Sequence, residues 1–144
     1  LSENQVVLRL KNSVIARTAK PGNFIHIQCA EWLKMRRPMS ILRASAVEGW
    51  FEILFKAQGL GTQTLSKHEP GEKLSILGPI GRPFRLSNYR THPILIGGGV
   101  GIPPIIFLSE HIRKTTNINE QLILMGSEIP FPFNAIPSKI LVAE

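Results

Sequence analysis

Through the first ninety or so residues, apolar positions come in short runs, each closed by turn residues. Residues 5–10, Gln-Val-Val-Leu-Arg-Leu, predict a strand, and residues 12–18 predict another. Lys20-Pro21-Gly22-Asn23 is a turn signal, and a strand is expected at 24–29. Alternation there puts Phe24, His26 and Gln28 on one face and Ile25, Ile27 and Cys29 on the other. A short strand at 37–41 and a longer one at 49–56 come next. Residues 58–62 read as a loop, 63–68 as a short helix stopped by Pro70-Gly71, and 73–77 as a strand. Closely spaced short strands with turns between them predict a small antiparallel β-barrel.

From His92 the pattern changes. An apolar strand at 94–96 runs into Gly97, Gly98, Gly99 and Gly101, then Pro103-Pro104, a helix at 105–114 and a strand at 121–125. Strand, tight turn, helix and strand open a parallel α/β unit. The expected division is 1–91 for the barrel and 92–144 for an incomplete α/β domain, since so short a segment cannot cover both faces of a doubly wound sheet. The glycine turn suits a dinucleotide, because a backbone without Cβ atoms approaches a pyrophosphate closely and a helix start aims N–H groups at it. A glycine turn that only packs a helix tightly on a sheet fits the pattern equally well. No Lys-Ser or Lys-Thr follows, so the turn is not a P-loop.

Composition narrows the classes. The 144 residues suit one domain plus part of another, and the absence of an initiator Met suggests a processed or trimmed chain. No apolar run is long enough to span a membrane, and the first residues do not form a signal peptide. The single cysteine, Cys29, excludes an internal disulfide and a cysteine-ligated metal centre; a buried, inert thiol and a cytoplasmic setting are expected. Asp is absent, which removes most triad and two-carboxylate schemes, and the four histidines lack metal-ligand spacing. The net charge of +7 is scattered along the chain. Without an aromatic nucleic-acid motif or zinc-finger spacing, nucleic-acid binding is not the expected role.

Two further segments carry candidate chemistry. Arg36-Arg37-Pro38-Met39-Ser40 offers guanidinium forks and a hydroxyl to phosphate oxygens; a solvated basic turn is the bland alternative. Gly59-Leu60-Gly61-Thr62 makes an anion cradle at a helix start, compatible with a plain N-cap by Thr62.

Taken in order, Arg-Pro-Met-Ser at 37–40, Gly-Leu-Gly-Thr at 59–62, Gly-Pro-Ile-Gly-Arg-Pro-Phe at 78–84 and Gly-Gly-Gly-Val-Gly-Ile-Pro-Pro at 97–104 resemble the ferredoxin–NAD(P) reductase superfamily. Within it, the doubled arginine resembles the branch of dihydroorotate dehydrogenase electron-transfer subunits. The resemblance covers nearly the whole chain. It implies an FAD-binding barrel followed by an NAD-binding domain, and hydride exchange between NAD(H) and FAD with no acid or base side chain required. It implies that Arg37, Pro38, Met39 and Ser40 form the flavin motif, with Arg37 on the pyrophosphate and Ser40 near the isoalloxazine edge. Plant-type reductases carry a stacking aromatic at the position of Met39, so this chain fits the dihydroorotate branch. Leu54, Phe55 and Lys56 match a second flavin-contacting strand. Gly61 and Thr62 match the pyrophosphate cradle, and Gly97, Gly98, Gly99 and Gly101 the nicotinamide dinucleotide turn. Glu128, past the second α/β strand, is expected to accept from the adenosine ribose and favour NAD over NADP; an exposed loop glutamate fits the pattern equally well. The branch also implies a catalytic dihydroorotate dehydrogenase subunit or another redox partner, an oligomeric complex and a role in pyrimidine biosynthesis. Its [2Fe–2S] centre needs a late cysteine cluster missing from this sequence, so that centre is expected only in a longer chain. A passive FAD-binding assembly module, or a subunit of hydrogenase or sulfite reductase type, is the alternative reading.

Overall fold

The computed structural model describes residues 4–85, 91–118 and 120–127, and the backbone of 140–143. Five strands form one antiparallel sheet: β1 (Gln5–Lys11), β2 (Phe24–Ile27), β3 (Arg37–Ser45), β4 (Trp50–Lys56) and β5 (Ile76–Ile80), in the order β1-β4-β3-β2-β5. The antiparallel character expected from the sequence is present, but no pairing closes β1 onto β5 among the described residues. The sheet wraps a core of Ile25, Ile27, Met39, Ile41, Phe51 and Ile53, which alternation directs inward from β2, β3 and β4.

Residues 12–18 are not a strand. Ser13–Thr18 form helix α1, because the Asn12 side-chain oxygen accepts the Ile15 N–H at 2.9 Å and caps the first turn. Adjacent Ile15 and Ala16 are both buried, a pattern no strand with one buried face produces. The second helix, α2 (Leu60–Leu65), starts three residues before the expected 63–68. The strand expected at 73–77 is β5, shifted to Ile76–Ile80.

The second sheet is parallel: β6 (Ile94–Gly98), β7 (Leu122–Gly126) and β8 (Ile140–Ala143), in that order. The last of these had no counterpart in the sequence reading. Between β6 and β7 runs α3 (Ile102–Thr115), with Pro103 and Pro104 in its first turn, where a missing N–H breaks no helical bond. This helix joins the two sheets. Its buried Ile102, Ile106 and Ile112 pack with Leu42 of β3 and Ile123 of β7, while Phe107 reaches the first core. Charge adds to that junction. Arg43 Nε donates to Glu110 Oε1 at 2.6 Å, and the nearly buried Glu52 lies between Arg9 at 2.7 Å and Arg43 at 3.7 Å. On β6, Ile94 and Ile96 point away from α3 and are 61% and 69% exposed, so α3 covers only one face of this sheet. No described helix is long and apolar enough to cross a membrane.

Candidate functional site

The site lies where β3 is shared between two neighbours. Arg37–Ser40 pairs with Phe24–Ile27 of β2 (Ile27↔Arg37 to Phe24↔Ser40), whereas the pairing with β4 begins only at Ile41↔Ile53. Beyond Ile53, β4 continues through Leu54, Phe55 and Lys56 while paired to β1 alone. The first half of β3 and the last turn of pleat in β4 therefore diverge, and α2 starts immediately after β4. Arg37, in the first half of β3, approaches Gly61 beside this split, and 54–56 belongs to the strand that forms its other side.

The two arginines of the doubled motif are not equivalent. Arg36 is committed to the protein: Nη1 donates to the Ser75 carbonyl at 2.7 Å and Nη2 to Ser75 Oγ at 2.8 Å. Arg37 is exposed and has no hydrogen-bond partner or carboxylate among the described residues. Its side chain crosses Gly61, where a Cβ would stand 3.2 Å from Arg37 Nε and 3.6 Å from Cys29 Sγ. A hydrogen at position 61 thus lets the Arg37 side chain pass close to the start of α2. The two predicted anion-binding elements are brought together by this contact.

Thr62 is not the N-cap. Gly59 is, and the Thr62 hydroxyl reaches back from the first turn to accept the Gln58 and Gly59 N–H groups, each at 3.2 Å. Thr62 therefore shapes the loop into α2. Met39 is buried in the first core, so only its backbone reaches the split; Pro38 is exposed and Ser40 half-buried. Phe55 is likewise buried in the first core, and Leu54 packs with the cluster beneath α3. Lys56 ends the strand half-buried.

Cys29 is fully buried; burial pushes its thiol pKa up, with Arg37 opposing, as expected for an inert thiol. His68, an ordinary histidine by sequence, has specific partners in the fold. Its Nε2–H donates to the Cys29 carbonyl at 2.8 Å, and Nδ1 meets the Glu72 carboxylate. Both ring nitrogens face acceptors, so the protonated ring is favoured and the pKa rises, first through Cys29 and then through Glu72. Glu72 is lowered in turn, chiefly by His68. The i,i+4 spacing of His68 and Glu72 around Pro70-Gly71 was the available signal. The tie joins α2 to the loop that carries Cys29.

A pH dependence follows. A raised histidine contributes stability that is fully present below the ordinary histidine range and is lost as pH rises through the native value. Glu72 contributes in the opposite sense and loses its share as acid protonates it. His68→Ala is expected to lower the melting temperature most near roughly pH 6 and much less in alkali. Melting curves of both proteins across pH check this; a difference constant with pH removes the ion pair from the account.

At the second sheet, β6 passes through a single 3-10 turn, Gly99–Gly101, into α3. A Cβ on Gly97 would meet the Gly101 carbonyl oxygen and Ile105 Cγ1, both at 2.9 Å. Gly97 therefore serves close packing of helix on sheet. Gly99 has φ +51°, and Cβ atoms on Gly99 or Gly101 would enter open space. Gly98 makes only ordinary contact with Gly126. Packing and open approach are thus divided among the four glycines. The open pair lies at the carboxyl ends of parallel strands, where such sheets receive ligands. Glu128 lies outside the described residues.

Known proteins fit this arrangement. A solved structure of an NADH-dependent reduced ferredoxin-NADP oxidoreductase, studied for flavin-based electron bifurcation, superposes with a TM-score of 0.82 at 25% identity, over 97% of this chain and 52% of that one. The ferredoxin reductase in carbazole 1,9a-dioxygenase gives 0.78 at 20% identity, over 99% and 46%. The chain thus has a ferredoxin reductase-like fold. More narrowly, it is homologous to the electron transfer subunit of dihydroorotate dehydrogenase B (NAD(+)) from Bacillus cereus (strain B4264), 34% identical over 116 residues. That match takes in 78% of this chain, which spans about half (45%) of the relative's length. No protein-family model matches the chain.

Proposed function

We propose that the chain is the flavin-binding part of an NAD(H)-dependent electron-transfer subunit of the dihydroorotate dehydrogenase type. The observation that carries this is Arg37 lying across Gly61 at the split between β3 and β4, without a protein partner among the described residues. A side chain at position 61 would fill the cradle, and the guanidinium would then have to move. This arrangement suits a diphosphate, which needs a planar donor fork beside backbone N–H groups.

When bound, FAD would accept a hydride from NADH and release electrons one at a time. The chain's own residues bind and orient. Arg37 and the start of α2 hold the diphosphate; Thr62 keeps that loop in shape. Ser40 and the backbone of Met39 line the diverging edge of β3, opposite Leu54–Lys56. Gly99 and Gly101 leave the carboxyl end of β6 open to the nicotinamide dinucleotide, with the start of α3 behind them. In this reading residues 1–91 serve the flavin and 92–144 the nicotinamide cofactor. Glu128 selects NAD over NADP, and a catalytic dihydroorotate dehydrogenase subunit receives the electrons.

The test is optical. Protein purified without denaturation is expected to be yellow, to release FAD rather than FMN, and to bleach with NADH in the absence of oxygen. Flavin bands that NADH leaves unchanged would favour a passive flavin module. A colourless protein that rebinds no FAD would overturn the proposal.

A further inference from the structure

One guanidinium, that of Arg43, joins the antiparallel sheet to α3. Its Nη1 faces Glu52 Oε2 of β4 at 3.7 Å, and its Nε donates to Glu110 Oε1 of α3 at 2.6 Å. Arg9 of β1 extends the line, with Nη2 at 2.7 Å from Glu52 Oε1. Glu52 is only 6% exposed, so a cation at each of its oxygens meets the need of a buried carboxylate. The line crosses the sheet directly, because Arg9 and Arg43 both stand opposite Glu52 in the pairing of their strands.

Regular alternation would not put Arg43 there. Ile41 faces the first core and Leu42 the cluster beneath α3, so the next side chain should face the first core again. The register slips instead. Ile41 stands opposite Ile53 and Arg43 opposite Glu52, which leaves Leu42 as an extra residue. This bulge turns Leu42 and Arg43 in succession toward α3, and Ala44 returns to the first core. A bulge re-aims a side chain and locally disrupts the ladder. Leu42 would meet α3 without it; only Arg43 needs it.

The two elements that Arg43 ties are those that carry candidate cofactor segments. Glu52 precedes Leu54–Lys56 on β4, beside the split, and Glu110 belongs to α3, whose start follows the glycine turn. We infer that Arg43 is a positioning residue, which sets the orientation of α3, and with it the glycine turn, against β4. Its bearing on the cofactors rests on the flavin reading above; the orientation itself does not. Hydride exchange needs the reacting atoms closely aligned, and a displacement of ~1 Å can slow a reaction about a hundredfold. A bond remote from both cofactors can therefore act on rate while touching neither.

Glu110→Ala removes the α3 end of the bridge and puts a strong helix former at a half-buried position, so the helix persists. Glu110→Gln keeps an acceptor for the Arg43 N–H and is the conservative control. Residual dipolar couplings of the backbone amides, measured on the purified chain without flavin, read the orientation directly. The unsubstituted chain and Glu110→Gln are expected to share one orientation of α3 relative to the antiparallel sheet. In Glu110→Ala the couplings of α3 should require a different orientation or a wider spread of orientations. With FAD bound, bleaching of Glu110→Ala by saturating NADH should be about tenfold slower, with FAD and NADH affinities unchanged and most of the rate kept by Glu110→Gln. An unchanged orientation of α3 in Glu110→Ala would overturn the inference, since apolar packing alone would then hold the helix. An unchanged bleaching rate, or a loss confined to NADH affinity, would overturn it as well. A chain that takes no FAD would sink the flavin reading instead, and the dipolar couplings would still decide the role of Arg43.

Discussion

Arg37→Ala is expected to weaken FAD binding by one to two orders of magnitude, while Arg36→Ala leaves most of the affinity in place. A hydrogen bond to a charged group contributes roughly 1.5–3 kcal/mol, which converts to about that loss. The asymmetry comes from what each arginine already does. Arg36 spends its donors on the Ser75 carbonyl and hydroxyl, whereas Arg37 lies across Gly61 with no described partner. Arg36→Ala should therefore act on stability instead, by releasing the loop before β5. Flavin titrations and melting curves of both variants separate the two roles. Equal losses of affinity would show that Arg37 is not the diphosphate ligand.

Gly97→Ala is expected to destabilise the protein by about 1–3 kcal/mol, the usual cost of forcing a methyl into a packed site. Its Cβ would stand 2.9 Å from a backbone carbonyl oxygen, which cannot yield as a flexible side chain would. Gly101→Ala should leave stability nearly unchanged, because its Cβ points into open space and its φ is −81°. Its effect should fall on NADH, whose approach to the turn the new methyl obstructs. Thermal denaturation distinguishes the variants, and NADH titration of flavin-loaded protein measures the second effect. A stable Gly97→Ala, or a Gly101→Ala that binds NADH unchanged, would break this division of labour.

These predictions rest on features with different visibility in the sequence. Alternation through Ile25, Ile27 and Cys29 was legible because strand period and burial are both local, and all three side chains are fully buried. The glycine turn and the helix after it were legible for the same reason: Gly99 needs a positive φ and prolines suit the first turn of α3. In 12–18 the β-branched Val14, Ile15 and Thr18 favour a strand, but the Asn12 cap outweighs that preference and a helix forms. The homology and the fold agree with the family that the motifs from Arg37 to Pro104 resemble.

Whatever depended on distant partners stayed hidden. Which arginine of the pair keeps its donors was decided by Ser75, thirty-nine residues away. His68 acquired its role from the Cys29 carbonyl, and α3 is held to the first sheet through Arg43 and Glu110. The transfer of β3 from β2 to β4, which opens the candidate site, is a matter of register between strands. The amino-acid sequence by itself determined the local elements and the kinds of group offered to an anion, because turn chemistry and periodicity act over a few residues. Only the tertiary structure decided which of those groups meet and which are already bonded, because the contacts that settle it join segments dozens of residues apart.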